Sequence, residues 1–152
     1  MRTLLATLLL AAAALAHAAT GPYDEAADAH AAVRSALAAA AQSQTPVLVV
    51  FGANWCPDCR VLDMAMHSGS SAPLMQKNFR VVKVDVGRFD RNVDLAEAYG
   101  VPLKKGIPAV AVLSPQGQVV YATKSGELAD AREMGEDGIY RFFSRVAMPT
   151  AK

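Results

Sequence analysis

The chain has 152 residues, 53% of them hydrophobic and 19% charged, with a formal net charge of +1. A chain of this size and composition makes one domain around one core. Lys and Arg are scattered rather than gathered into a stripe, which removes the electrostatic footprint of a nucleic-acid-binding surface, and no repeat or low-complexity linker divides the chain.

The opening "MRTLLATLLLAAAALAHA" carries one positive charge at Arg2, an apolar stretch from Leu4 to Leu15, and small residues at Ala16 and Ala18 in an A-x-A arrangement. This is the pattern of a secretory signal peptide over residues 1–18, with residues 19–152 as the mature domain. An uncleaved anchor is the competing reading, but spanning hydrocarbon takes roughly 20 apolar residues, more than this stretch offers. No cysteine follows closely enough to accept a lipid. The expected product is a soluble periplasmic protein, in a compartment where disulfides persist.

Past the signal, residues 23–44 are rich in helix formers, with Ala26, Ala29, Val33, Leu37 and Ala40 at helical spacing. "PVLVVF" is a continuous apolar run of strand length, as expected of a buried central strand. "CPDCRVLDMAMH" predicts a helix with Pro57 just inside its start, where a missing N–H is harmless, and with Val61, Leu62 and Ala65 as an apolar face. "LMQKNF" predicts a short helix and "RVVKVDVG" a strand. "DRNVDLAEAYG" predicts a helix with Asp90 as N-cap and Gly100 at its end. "IPAVAVL" and "QVVYAT" predict an antiparallel hairpin across "SPQGQ". The closing "EDGIYRFFSRVA" places Ile139, Phe142, Phe143 and Val146 on one helical face.

The only two cysteines, Cys56 and Cys59, stand in "WCPDC" at the junction of the strand and the next helix. A thiol at a helix N-terminus meets free backbone N–H groups and the positive end of the helix dipole, which stabilise its thiolate. Cys56 is therefore the candidate nucleophile. Cys59, one turn further on, can attack the mixed disulfide that Cys56 forms and release reduced substrate. A structural disulfide is the first duller alternative, but so short a loop constrains the unfolded chain little. A metal site is the second. It needs further ligands, and His30 and His67 are not at zinc-finger spacing, so any metal is expected to be copper(I) drawing on Met64 or Met66. Those methionines lie two apart on a helix, which suits core packing or ordinary surface better than a shared ligand set.

"WCPDC" after an apolar strand, with "GIPAVAVL" further on, resembles the thioredoxin-fold family over nearly all of the mature chain. It is most similar to secreted bacterial thioredoxin-like reductases and disulfide isomerases. The resemblance implies an α/β fold, a central mixed sheet flanked by helices with an extra N-terminal helix. It also implies a redox pair at Cys56 and Cys59 needing no further cofactor or metal, and a cis peptide bond at Ile107–Pro108 opposite the cysteines. The backbone of Gly106, Ile107 and Pro108 would then pair with an extended substrate segment, although Pro108 could instead merely start an edge strand. Trp55, Pro57 and Asp58 would flank the thiols and tune them, with a core position as the alternative for Trp55. The implied partners are exported proteins with disulfides and a membrane electron donor, with no nucleic acid.

The chain departs from thioredoxins in three places. Their buried aspartate beneath the resolving thiol is matched here by Val50, and its lysine neighbour on the next strand is expected to be replaced by Val81. The loop "VPLKK" is longer and adds Lys104 and Lys105 near the substrate edge. Residues 124–137 exceed a minimal thioredoxin, and no chemistry is assigned to them. Strong oxidants of the family carry a histidine where this chain has Asp58. A carboxylate there repels a neighbouring thiolate, so Cys56 is expected to be less acidic and the protein to act as a reductant. A disulfide isomerase is the nearest alternative, and a copper-binding protein is the alternative from another class.

Overall fold

The apolar run after Pro46 becomes β1 (Val47–Gly52), buried at every position, as a strand covered on both faces must be. In the computed structural model, which describes residues 21–147, β1 lies inside a four-stranded sheet. β2 (Arg80–Asp85) pairs with it in parallel on one side, and β3 (Ala109–Leu113) antiparallel on the other. β4 (Val119–Ala122) completes the order β2-β1-β3-β4 as the antiparallel partner of β3. A parallel pair requires a crossover, and α2 (Pro57–Met66) and α3 (Ser71–Asn78) supply it.

Side chains of β1 alternate between two cores because the strand period is two. Val47, Val49 and Phe51 join Val33 and Ala40 of α1 (Ala29–Ser43) and Leu95 and Ala96 of α4 (Val93–Ala98). Leu48 and Val50 join Leu62 of α2, Met75 of α3, and Ile139, Phe142 and Phe143 of α5 (Ala131–Ala147). The mixed sheet between helices is the architecture that the resemblance implied, including the helix ahead of β1. Among the described residues, no helix is long and apolar enough to cross a membrane. The expected signal, residues 1–18, lies outside the described residues.

Four local readings change. The leading helix starts only at Ala29, where Asp28 Oδ1 accepts the Ala31 N–H at 2.9 Å. Residues 21–28 are freed to lie as an arm against the end of β1. α3 begins at Ser71, ahead of "LMQKNF". Asp90 does not cap α4; Asn92 holds that position with φ 51°, while Asp90 Oδ1 accepts the Arg88 N–H at 2.9 Å in the preceding turn. α5 starts at Ala131 and bends at Gly135, so residues 124–137 are part of the packed fold, with Leu128 and Ala131 fully buried.

The strand register also corrects the position of the lysine. Val50 faces Lys83 across β1 and β2, and Val81 lies opposite Leu48. A count made without the register slips by two residues, which keeps the face of the strand but changes the partner. The lysine neighbour is thus present, and it pairs with Asp63 of α2.

Phe143 has no exposure and packs edge-to-face on Phe79 and Phe142. Phe143→Ala should lower the unfolding free energy by about 3–5 kcal/mol in urea titrations. A loss below about 1 kcal/mol would contradict this packing.

Candidate active site

α2 begins with a proline at its first position, and the residue before it, Cys56, is the N-cap with extended backbone. The cap is a sulfur: Cys56 Sγ accepts the Cys59 backbone N–H at 3.1 Å. One turn brings Cys59 to the same side, and the two are joined as a disulfide with their Cα atoms 5.3 Å apart. Cys59 is wholly buried, whereas Cys56 keeps 4% exposure at the rim. Upon reduction, the free amides and the helix dipole stabilise a thiolate at Cys56 before one at Cys59.

The loop before β3 faces this pair. The Ile107–Pro108 peptide bond is cis, and the Ile107 carbonyl oxygen lies 3.6 Å from Cys56 Sγ. Ile107 buries its side chain, so the loop offers backbone to the cysteines. Gly106 has φ 115°, in the left-handed range, and a Cβ there would come 2.6 Å from the Ala129 methyl. No other residue fits that position.

Trp55 is 43% exposed and forms a surface wall rather than part of the core. Its indole N–H donates to the Gly87 carbonyl at 2.8 Å, its ring meets Phe89 edge-on at 6.0 Å, and the Arg88 guanidinium lies 5.1 Å from its centroid. A cavity of about 610 Å³ opens beside this wall, lined by Phe89, Val93, Val101, Leu103, Lys104 and Gly106. Lys104 thus reaches the edge where the long "VPLKK" loop placed it.

Asp58 does not stand alone beside the thiols. Its Oδ1 accepts the Arg132 backbone N–H at 3.0 Å and the Arg132 Nε–H at 3.2 Å. Burial pushes its carboxyl up, but these bonds and the guanidinium charge outweigh burial and hold it below the usual carboxylate range. The extra segment therefore braces the residue between the two cysteines.

The structure brings Trp55, Cys56, Pro57, Asp58, Cys59, Gly106, Ile107 and Pro108 to one end of the sheet. It also adds residues that the sequence reading missed. Tyr23 and Asn54 clamp the arm: Asn54 Oδ1 accepts the Tyr23 N–H at 2.9 Å and Asn54 Nδ2 donates to the Tyr23 carbonyl at 2.8 Å. Arg132, Phe89 and Arg88 join from distant segments. The only sequence signal for any of them was the "AN" turn directly ahead of "WCPDC". Met64 is exposed and Met66 buried, on different sides of α2. The His67 ring is hydrogen-bonded to the Asp63 carbonyl. Among the described residues, no group of three or more His, Cys, Asp or Glu is placed to hold a metal ion.

The thioredoxin-like family model matches residues 28–115, more than half of the chain. The chain belongs to the thioredoxin-like family. A thioredoxin of Buchnera aphidicola is 31% identical over 83 residues, covering 55% of this chain and 68% of its own. A solved disulphide isomerase from Xylella fastidiosa Temecula1 is 52% identical, with a TM-score of 0.83 over 86% of this chain and 100% of that one. The reduced C-terminal domain of Neisseria meningitidis DsbD, at 19% identity, shares the fold with a TM-score of 0.53 over 76% of this chain and 95% of that one. With its C-x-x-C pair closed at a helix terminus, this thioredoxin-like protein is a thiol–disulfide oxidoreductase whose redox group is the cysteine pair itself.

Asp58→Asn should destabilise the protein by about 1 kcal/mol at neutral pH, discounting the charge-assisted bond for the exposed Arg132. Because the folded pKa is depressed, this contribution is present above roughly pH 4 and fades as pH falls below it. Urea titrations across that range check it. A gap between variant and parent that stays constant into acid would refute the ionic origin.

Proposed function

We propose that the protein is exported and exchanges disulfides with other exported proteins, acting in its dithiol form as an electron donor. The observation that supports this best is the unequal seating of the pair. Cys56 sits at the rim, capping a helix and facing a backbone loop beside an open groove, while Cys59 sits behind it without exposure. The Cys56 thiolate attacks one substrate sulfur, forming a mixed disulfide and releasing the other sulfur as a thiolate that takes up a proton. Cys59 then attacks Cys56 Sγ, closing the Cys56–Cys59 bond and releasing the first substrate sulfur.

The backbone of Gly106 and Ile107 pairs with an extended substrate segment as an added strand. The Trp55–Phe89 wall and the groove along Leu103 and Lys104 receive its side chains. Export to a periplasm rests on the signal pattern of residues 1–18. A membrane thiol donor then returns electrons to the pair. The 52% identity to a protein described as a disulphide isomerase supports a second reading, in which the same nucleophile reshuffles disulfides without net reduction.

The protein should reduce insulin with dithiothreitol, and Cys56→Ser should abolish that activity. Cys59→Ser should instead accumulate mixed disulfides with its partners. Equal trapping by both variants would reverse the assignment of the nucleophile. If scrambled ribonuclease is restored faster than insulin is reduced, and Cys59→Ser still restores it, the isomerase reading replaces the reductant one.

The potential against a glutathione buffer should lie below roughly −200 mV, toward the thioredoxin end of the family range. Asp58→His removes a negative charge beside the Cys56 thiolate and should move it upward. A value near the oxidant extreme of about −120 mV would rule out the reductant.

A further inference from the structure

The resolving thiol presents a problem that the exchange mechanism leaves open. Cys59 has no exposure, and burial without a donor penalises a thiolate. Val50, below it on β1, has nothing to donate. The Tyr23 hydroxyl borders the same glycine as the Cys59 sulfur. A Cβ built on Gly52 would collide with the Tyr23 hydroxyl and come 3.0 Å from Cys59 Sγ. The hydroxyl and the sulfur thus converge on the space that the glycine leaves empty.

The geometry points to the Tyr23 hydroxyl as the hydrogen-bond donor to the Cys59 sulfur in the dithiol form, stabilising its thiolate as it attacks the mixed disulfide. The inference rests on thiol–disulfide exchange through this pair. Tyr23 is held firmly in place, since it is fully buried and Asn54 grips its backbone on both sides, one residue before Trp55. The charges facing it are Asp63 from α2, itself paired with Lys83 of β2, and Asp85 at the end of β2, with Arg91 3.6 Å from that carboxylate. Burial first, and then the two carboxylates, hold the phenol well above its ordinary pKa. It therefore remains an O–H donor throughout the working range and cannot serve as a base.

The proton that Cys59 loses passes to the departing substrate sulfur. The Cys59–Cys56 bond forms as the Cys56–substrate bond breaks, and the substrate leaves as a thiol. Tyr23 keeps its own proton and contributes only the bond that favours the attacking thiolate.

The test titrates Cys59 alone, in a Cys56→Ser background, by the pH dependence of its alkylation by iodoacetamide. Adding Tyr23→Phe, which keeps the ring and removes the hydroxyl, should raise the Cys59 pKa by about one unit, a tenfold loss of thiolate at fixed pH. Single-turnover resolution in the Tyr23→Phe protein with both cysteines should slow about threefold, because the tenfold loss of thiolate is partly offset by the greater nucleophilicity of the more basic sulfur. An unchanged Cys59 titration overturns the inference, including the case in which Tyr23→Phe lowers only thermal stability and so reports packing alone. A second readout needs no change at Tyr23. With ¹³Cζ-labelled tyrosine in the Cys56→Ser protein, the Tyr23 resonance should inflect at the Cys59 pKa, and a flat resonance there overturns the proposal. Both titrations are read without turnover, so their failure stays distinct from failure of the exchange reading.

Discussion

The N-cap of α2 is filled by a sulfur, and the site is arranged around that substitution. A cap must accept a backbone N–H from the first turn, and here the acceptor is Cys56 Sγ and the donor is Cys59 N. The sulfur proposed as the nucleophile is also the group that ends the helix, so it cannot move without uncapping it. Pro57 supports this at no loss, since the N–H it lacks would have found no partner in the helix. β1, buried along its whole length, then holds the helix start against the sheet.

Three segments far apart in the chain converge on that fixed point, two of them over glycines. The arm of residues 21–28 lays Tyr23 over Gly52, and residues 124–132 lay Ala129 over Gly106. In both cases the missing Cβ is the space into which the other segment fits; close approach alone explains Gly52, and at Gly106 it adds to a left-handed φ. The Ile107 loop is the third segment, held with its carbonyl toward Cys56.

Electrostatics at the site are local and paired. Asp58 is engaged by Arg132, Asp63 by Lys83, and Asp85 by Arg91 at 3.6 Å. The charge of Asp58 beside the thiols is therefore softened by a residue from the extra segment. Burial first, and then two carboxylates, keep the Tyr23 phenol protonated, so its hydroxyl can donate but cannot act as a base.

Much of this was legible in the chain. The apolar run of β1, the proline one residue into α2 and the spacing of Cys56 and Cys59 are local patterns, and local patterns suffice to place a strand, a helix start and two thiols on one helical turn. The residues that surround the thiols were not legible in the same way. Tyr23, Phe89 and Arg132 reach the site through contacts across 31 to 74 positions, and no periodicity encodes such pairs. The lysine opposite Val50 was misplaced for the same reason, because a strand's face follows from its sequence but its partner follows from register. The sequence by itself thus determined the chemistry available, two thiols at the positive end of a helix. Only the tertiary structure decided what faces them, because side chains distant in the chain meet only once the sheet has been paired and its helices packed.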